Sequence, residues 1–200
     1  MGEPLLVNWY GQAEQVQGWF NEQELAPIIN IISKAPSDSI FVEIGIWKGH
    51  STVAIASEFT GGRYIAIDHF RGSNVPICLE DPELPYIQEI FKQNLEKFGL
   101  VDRVEILAEE SVEAAKHFED NSVDFILLDG SHEYLDVKAD IAAWWPKLKV
   151  GGKMFFHDQG WPDVRQAIEE AELVGEVLFS SVFMARKEKD AKDSLLIADV

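Results

Sequence analysis

Two stretches of this chain carry residues whose types and spacing could do chemistry. The first is Glu43-Ile44-Gly45-Ile46-Trp47-Lys48-Gly49-His50-Ser51, which follows one apolar run and leads into a helical one. Gly45 and Gly49 permit a backbone turn tight enough for a ligand to approach closely. The spacing is not the G-x-G-x-x-G of a pyrophosphate loop, because position 47 is Trp rather than Gly or Ala. An anionic Glu43 also disfavours a diphosphate and suits a ligand bearing an ammonium or sulfonium group. Asp68 ends the next apolar run, 23 residues after Gly45. A carboxylate there can accept from both hydroxyls of a ribose, as adenosine cofactors require. Taken singly, Gly45 reads as a turn and Asp68 as a helix cap. Together, in that order, they predict an adenosine-type ligand.

The second stretch pairs Asp129 and His132 with His157 and Asp158. Asp129 and Asp158 each follow an apolar run, so both should project into one crevice. Neighbouring strands lie about 4.8 Å apart, close enough for two carboxylates to share a cation. Oxygen ligands of this kind suit magnesium, which would acidify a substrate hydroxyl and orient it. The plainer reading makes Asp158 a turn cap and leaves Asp129 touching only the cofactor. His132 is the candidate general base, since an ordinary imidazole titrates near pH 6.5; its plainer reading is a surface histidine opening the helix at Tyr134. His69, beside Asp68, could stack near an adenine, and His50 reads as part of the loop.

Apolar runs and amphipathic stretches alternate so as to position these residues. The runs are Ile40–Ile44, Tyr64–Ile67, Val104–Leu107, Val123–Leu128 and Lys153–Phe156. Helical spacing fills Ser51–Phe59, Tyr86–Phe98, Val112–Phe118, Tyr134–Leu148 and Val164–Leu173. Near-continuous apolar strands separated by helices predict a doubly wound α/β domain with a parallel sheet covered on both faces. Gly61-Gly62 and Gly151-Gly152 punctuate the starts of the second and fifth strands. Val177–Phe179 and Val182–Ala185 lie too close for a crossover, so they should form an antiparallel hairpin. Ahead of the sheet, Asn21 and Glu24 form a capping-box pattern opening a helix through about Ile32, with Pro27 inside it. The aromatic segment Trp9–Phe20 is left open as a lid, a dimer contact or a packed arm. The long Pro-containing loop His69–Pro85, with Trp161, is the expected source of substrate contacts.

The 200 residues fit one domain, with 1–20 as an N-terminal arm or lid and 21–200 as the catalytic domain. The 46 % hydrophobic and 26 % charged residues match an ordinary globular mixture, and the single Cys78 excludes an internal disulfide and a cysteine zinc cluster. A net charge of −18, from 35 acidic and 17 basic residues, repels phosphate backbones and argues against nucleic-acid partners. No signal-like start or membrane-length apolar run is visible, so a cytoplasmic protein without membrane partners is expected. A small-molecule substrate is expected, and homo-oligomerisation is left open.

These motifs resemble those of the class I S-adenosylmethionine-dependent methyltransferases. Ile40–Ser51 is similar to their first cofactor motif and Ile65–Asp68 to their second. In finer detail the chain resembles the small-molecule O-methyltransferases of the macrocin and cephalosporin-biosynthesis type, and more distantly catechol O-methyltransferase. The likeness runs from about Gly18 to Leu173. Its sharpest parts are Glu43–Ser51, Asp129–Tyr134, and Gly151-Gly152 followed by His157-Asp158. The resemblance implies a Rossmann-like seven-stranded sheet, five parallel strands plus a C-terminal hairpin. It implies an enzyme that methylates a hydroxyl of a small molecule. Glu43, Gly45, Trp47 and Ser51 would line the methionine side of S-adenosylmethionine, Asp68 would hold the ribose, and Glu110 and Ser111 would flank the adenine. Position 109–111 reads Glu-Glu-Ser where the family often has Gly-Asp-Ser. Asp129 would touch cofactor and reacting groups, and His132 stands where the catechol enzyme carries its lysine. The family's metal ligands fall at Asp129, His157 and Asp158. Histidine at 157, in place of a carboxylate, removes a ligand, turns the site toward manganese or zinc, or signals no metal. Two rivals are an NAD or nucleotide-sugar enzyme on a similar sheet and a catalytically silent cofactor-binding module acting through partners.

Overall fold

Five apolar segments pair side by side as parallel strands: β1 (Ile40–Ile44), β2 (Arg63–Ile67), β3 (Val104–Leu107), β4 (Val123–Leu128) and β5 (Leu148–Phe156). The computed structural model describes residues 8–59, 61–73 and 75–188. The outer parts of the expected arm (1–7) and of the expected domain (189–200) lie outside these described residues. β6 (Gly175–Phe179) and β7 (Val182–Arg186) form the antiparallel hairpin, and β7 runs antiparallel to β5. The sheet order is β3-β2-β1-β4-β5-β7-β6, with the order reversing between β1 and β4. That reversal is where an open α/β sheet leaves a ligand crevice.

Helices cover both faces. On one side lie α1 (Trp9–Ala13), α2 (Glu22–Ile32), α3 (His50–Glu58) and α5 (Ile87–Lys97), contributing Ala13, Leu25, Ile28, Val53 and Phe91 to one core layer. On the other lie α6 (Ser111–Ala114), α7 (Tyr134–Trp144) and α8 (Pro162–Glu170), contributing Ala114, Trp144 and Ile168. A short α4 (Pro76–Leu79) and a 3-10 turn at Leu84–Tyr86 lie within the long loop. The capping box forms as its residues imply: Glu24 N donates to Asn21 Oδ1 at 3.1 Å, and Asn21 N donates to Glu24 Oε2 at 2.9 Å. Over its described part the aromatic segment is a packed arm, with Ala13, Val16 and Phe20 in the core. Among the described residues, no helix is long and apolar enough to cross a membrane.

Two boundaries differ from the sequence reading. Gly151-Gly152 lie inside β5 rather than before it. Gly151 has φ +84°, and a Cβ on Gly152 would stand 2.8 Å from Lys149 O. The β4–β5 register slips between Val123 and Phe125, so the glycines serve a bulge within a longer strand. The helix expected to reach Leu148 ends at Trp144: Trp145 keeps helical angles, but Pro146 has no N–H to continue the i→i−4 ladder.

Candidate active site

Ladder hydrogen bonds continue one residue past the strand ends and fix the first residues of the site. Gly45 N donates to Ile67 O at 3.0 Å, Asp68 N to Leu107 O at 3.2 Å, Asp129 N to Ile44 O at 2.8 Å, and His157 N to Leu128 O at 3.1 Å. These residues open one cavity of about 730 Å³ that spans the ends of β1 to β5. It is lined on the β2 side by Asp68, His69, Glu110 and Ser111, and on the β5 side by Asp129, His132, His157 and Asp158. The sequence reading placed both groups in one crevice, and the structure brings them together.

The glycine loop is held by Asp68 itself. Asp68 Oδ2 accepts from Ile46 N at 2.8 Å and Trp47 N at 3.0 Å, while Oδ1 accepts from Phe70 N at 2.6 Å. Each carboxylate oxygen offers about two acceptor positions, so one stays open on Oδ1 for a ligand hydroxyl rather than the full pair expected. Gly45 has φ +84°, and a Cβ there would stand 2.1 Å from Asp129 O, so glycine alone fits where the β1 and β4 loops touch. Trp47 lines the cavity, and its indole Nε1 is buried without a hydrogen-bond partner. Ser51 also lines it.

Glu43 does not line the cavity. Its side chain is fully buried on the far side of the loop, accepting from Ser51 Oγ at 2.5 Å, Thr52 Oγ1 at 2.7 Å and Tyr64 OH at 2.6 Å. Burial outweighs these three hydroxyls and pushes the carboxyl up to about 7. The expectation that Glu43 meets the ligand is therefore corrected. Its strand neighbour of like parity, Phe41, points into the core layer under α3, and Glu43 follows it there, where it clamps the first turn of α3.

On the β2 side, Ser111 Oγ accepts from Trp144 Nε1 at 2.8 Å and is hydrogen-bonded to the buried Asp140. Burial raises the Asp140 carboxyl to about 6, assisted by Asp136 and Glu110 and opposed by Ser111. Glu110 is ion-paired with Arg71, and His69 Nδ1 accepts from Arg71 N at 3.0 Å. Asp140 escaped the sequence reading although a signal was present: it shares the inward stripe of α7 with Val137, Ile141 and Trp144, where a carboxyl is out of place.

Across the cavity the acid and imidazole groups form a chain. His132 Nε2 lies 2.9 Å from Asp158 Oδ2, which lies 3.2 Å from His157 Nδ1; that nitrogen lies 2.9 Å from Asp129 Oδ1. Phe20 stacks on the His157 ring at 3.8 Å, and Glu24 Oε2 stands 3.7 Å from its Nε2. Burial alone would lower the His157 imidazole, but the carboxylates of Asp129 and Asp158 push it up to about 10. Burial would raise Asp158; hydrogen bonds from His132 and His157 instead hold it below the ordinary carboxylate range. His132 turns Nε2 to Asp158, and its Nδ1 is buried and without a partner. Its ring lies 4.7 Å from Trp161. The donor atoms whose spacing could surround a metal ion belong to Asp129, His132 and Asp158, all within 4.8 Å of one another. His157, expected among the ligands, is instead the cation bridging two of them. Glu24, Phe20 and Trp19 also border the site; they come from the arm and α2, which local motifs do not connect to β5.

Comparison with known proteins places this geometry in context. A family model described as a methyltransferase domain matches residues 42–159, more than half of the chain. Among curated proteins, the uncharacterized protein y4gI of Sinorhizobium fredii is 45 % identical over 53 residues, covering 26 % of this chain and only 6 % of that protein. A Corynebacterium glutamicum protein of known structure is 15 % identical over 94 % of this chain and 93 % of its own, with a TM-score of 0.69. The SAH-bound methyltransferase PaMTH1 of Podospora anserina is 14 % identical over 94 % and 90 %, TM-score 0.66. A SAM-dependent O-methyltransferase of Thermotoga maritima is 16 % identical over 92 % and 72 %, TM-score 0.65. At these identities the solved structures speak for the fold.

Proposed function

The chain belongs to the methyltransferase domain family matched above, and from that premise we propose that it moves a methyl group from S-adenosylmethionine to a hydroxyl of a small molecule. The observation that carries this reading is the single cavity joining Asp68 and the glycine loop to the His132–Asp158 pair. The residues present fit the donor. The cradle at Gly45 tolerates no Cβ, the Trp47 N–H awaits an acceptor, and the lining is acidic, as a sulfonium cation favours. Gly45, Trp47, Ser51 and Asp68 would hold its methionine and ribose, with His69, Glu110 and Ser111 near the adenine and Asp129 at the crossing point.

Bound there, S-adenosylmethionine supplies an electrophilic methyl carbon on sulfur and leaves as S-adenosylhomocysteine. His132 takes the acceptor's hydroxyl proton at Nδ1, which is buried in the structure and must be uncovered as the acceptor enters beside Trp161. Asp158 holds the ring through Nε2 and stabilises the imidazolium that forms, as the acid partner of a histidine base does. His157 in turn fixes Asp158 between two imidazoles, and its charge offsets the two carboxylates. Gly45, Trp47 and Asp68 would present the donor's methyl carbon to an acceptor oxygen held beside His132, where the new C–O bond would form as the C–S bond breaks. Orientation of the two reactants can supply roughly 7–11 kcal/mol of the barrier reduction.

A second reading follows from the close spacing of Asp129, His132 and Asp158. Two carboxylates and an imidazole would suit manganese or zinc better than magnesium, and such an ion would polarise the acceptor hydroxyl. His132 cannot serve as both ligand and base, so the readings separate cleanly. Calorimetry should show binding of S-adenosylhomocysteine and not NAD, with no heat from Mn²⁺ or Zn²⁺. Micromolar binding of either ion, lost in Asp158→Asn, would favour the second reading; NAD binding without S-adenosylhomocysteine binding would sink both.

A further inference from the structure

The acceptor side of the cavity differs in character from the donor side. Trp161 stands 45 % exposed over His132, and Trp19 stands 46 % exposed against Trp47, at 5.4 Å between ring centroids. Phe20 and His157 add a stacked pair beneath. The wall therefore includes planar rings, of which the Trp19 and Trp161 indoles are half-exposed. Such faces bind flat rings and attract cations through the ring quadrupole.

Charge narrows the class further. Among the described residues no lysine or arginine lines the cavity, whereas Glu24, Asp129 and Asp158 border the acceptor side. The cations nearby are engaged elsewhere. Lys48 is buried against Gln17, Asp81 and Glu83, Arg71 is paired with Glu110, and Arg165 lies outside the lining with its guanidinium at the carbonyls of Gln159 and Gly160. The imidazole of His157 is enclosed by Asp129, Asp158 and Glu24 and stacked on Phe20, so it offers an anion no free edge. A phosphate or carboxylate entering here would meet carboxylates and indole faces, with no basic side chain to pair with.

We propose that the methyl acceptor is a planar, ring-bearing phenol without anionic groups, held against Trp161, and that a protonated amine on it improves binding. This deepens the methyltransferase reading and depends on it. Among the described residues, the same lining disfavours phosphorylated, nucleotide-linked and carboxylate-bearing acceptors.

Three probes that share a phenol ring and differ in charge test the proposal: tyramine, 4-ethylphenol and 4-hydroxyphenylacetate. Each is titrated calorimetrically into the full chain saturated with S-adenosylhomocysteine, whose own binding is measured first. The expected order is tyramine, then 4-ethylphenol, then the acid, with roughly tenfold between the first and last. Trp161→Ala should weaken the first two and Trp161→Phe restore them, with affinity for S-adenosylhomocysteine unchanged in both variants. Equal or tighter binding of the acid, indifference to Trp161→Ala, or binding by none of the three would overturn it. If S-adenosylhomocysteine itself fails to bind, the methyltransferase reading falls and this inference falls with it.

Discussion

His132 and Glu43 show how far single residues speak for themselves. His132 stood out in the sequence as a candidate base three residues after Asp129, but its partner did not: Asp158 is 26 positions away and meets it through the β4–β5 pairing. His132→Gln should keep S-adenosylhomocysteine affinity and lower methyl transfer by about 10²–10⁴-fold, the usual contribution of a positioned base; single-turnover rates with labelled donor measure this. Glu43 was misread because nearness to the loop was taken for exposure to it, although strand parity with Phe41 points it into the core. Its buried carboxyl titrates near 7 against an ordinary 4.5. A raised acid favours the folded state while both states are protonated, below about 4.5, and that advantage fades as pH rises toward 7. The loss should amount to about 3 kcal/mol. Urea unfolding at pH 5 and pH 8 should show this contribution in the native chain, and Glu43→Gln should lack it.

At the scale of elements, strand cores, the hairpin and the capping box were legible because each is written in local period or spacing. The bulge in β5 was not, because it is set by how β4 and β5 register rather than by Gly151-Gly152 alone. Contacts between distant segments were equally hidden, and Lys48 is the clearest case. Its ammonium, 3 % exposed, binds Gln17 of the arm at 2.6 Å and Asp81 and Glu83 of the long loop at 2.8 and 2.7 Å. Its backbone carbonyl accepts from Asn94 Nδ2 at 2.8 Å. One side chain of the glycine loop thereby ties together the arm and the long loop that border the cavity. Lys48→Met would leave Asp81 and Glu83 without their shared cation and loosen the tie between the arm and the long loop. Hydrogen exchange should accelerate in residues 15–20 and 76–86, and S-adenosylhomocysteine affinity should fall, while β4 and β5 keep their protection. Gly45→Ala belongs to this scale too. A Cβ at 2.1 Å from Asp129 O, at φ +84°, forces the β1 and β4 loops apart, and a loss of about 2 kcal/mol or more should appear in urea unfolding.

For the whole molecule, the sheet order places the cavity on the seam between the two halves: β3, β2 and β1 lead into the side lined by Asp68 and Ser111, β4 and β5 into the side lined by His132 and Asp158. The two core layers lie above and below this seam and are joined only through the sheet. The alternation of runs made that architecture legible, whereas the arm's return over the cavity was not, since no local pattern ties Trp19 to Trp47 across 28 positions. A ligand seated on the seam touches groups from Gln17 to Ser181. Its binding therefore requires most of the chain to be folded at once, and the unfolded chain offers it no equivalent. Mass action then fixes the stabilisation: a ligand at about 100 times its Kd adds roughly 2.7 kcal/mol. For a chain of 200 residues, each kcal/mol moves Tm by about 2–4 °C. S-adenosylhomocysteine at that excess should therefore raise Tm by roughly 5–11 °C in scanning calorimetry, in one sharpened transition. An equal concentration of NAD should leave Tm where it was. A shift confined to part of a split transition would mean that the two sides of the seam unfold separately, and that the cavity does not couple them.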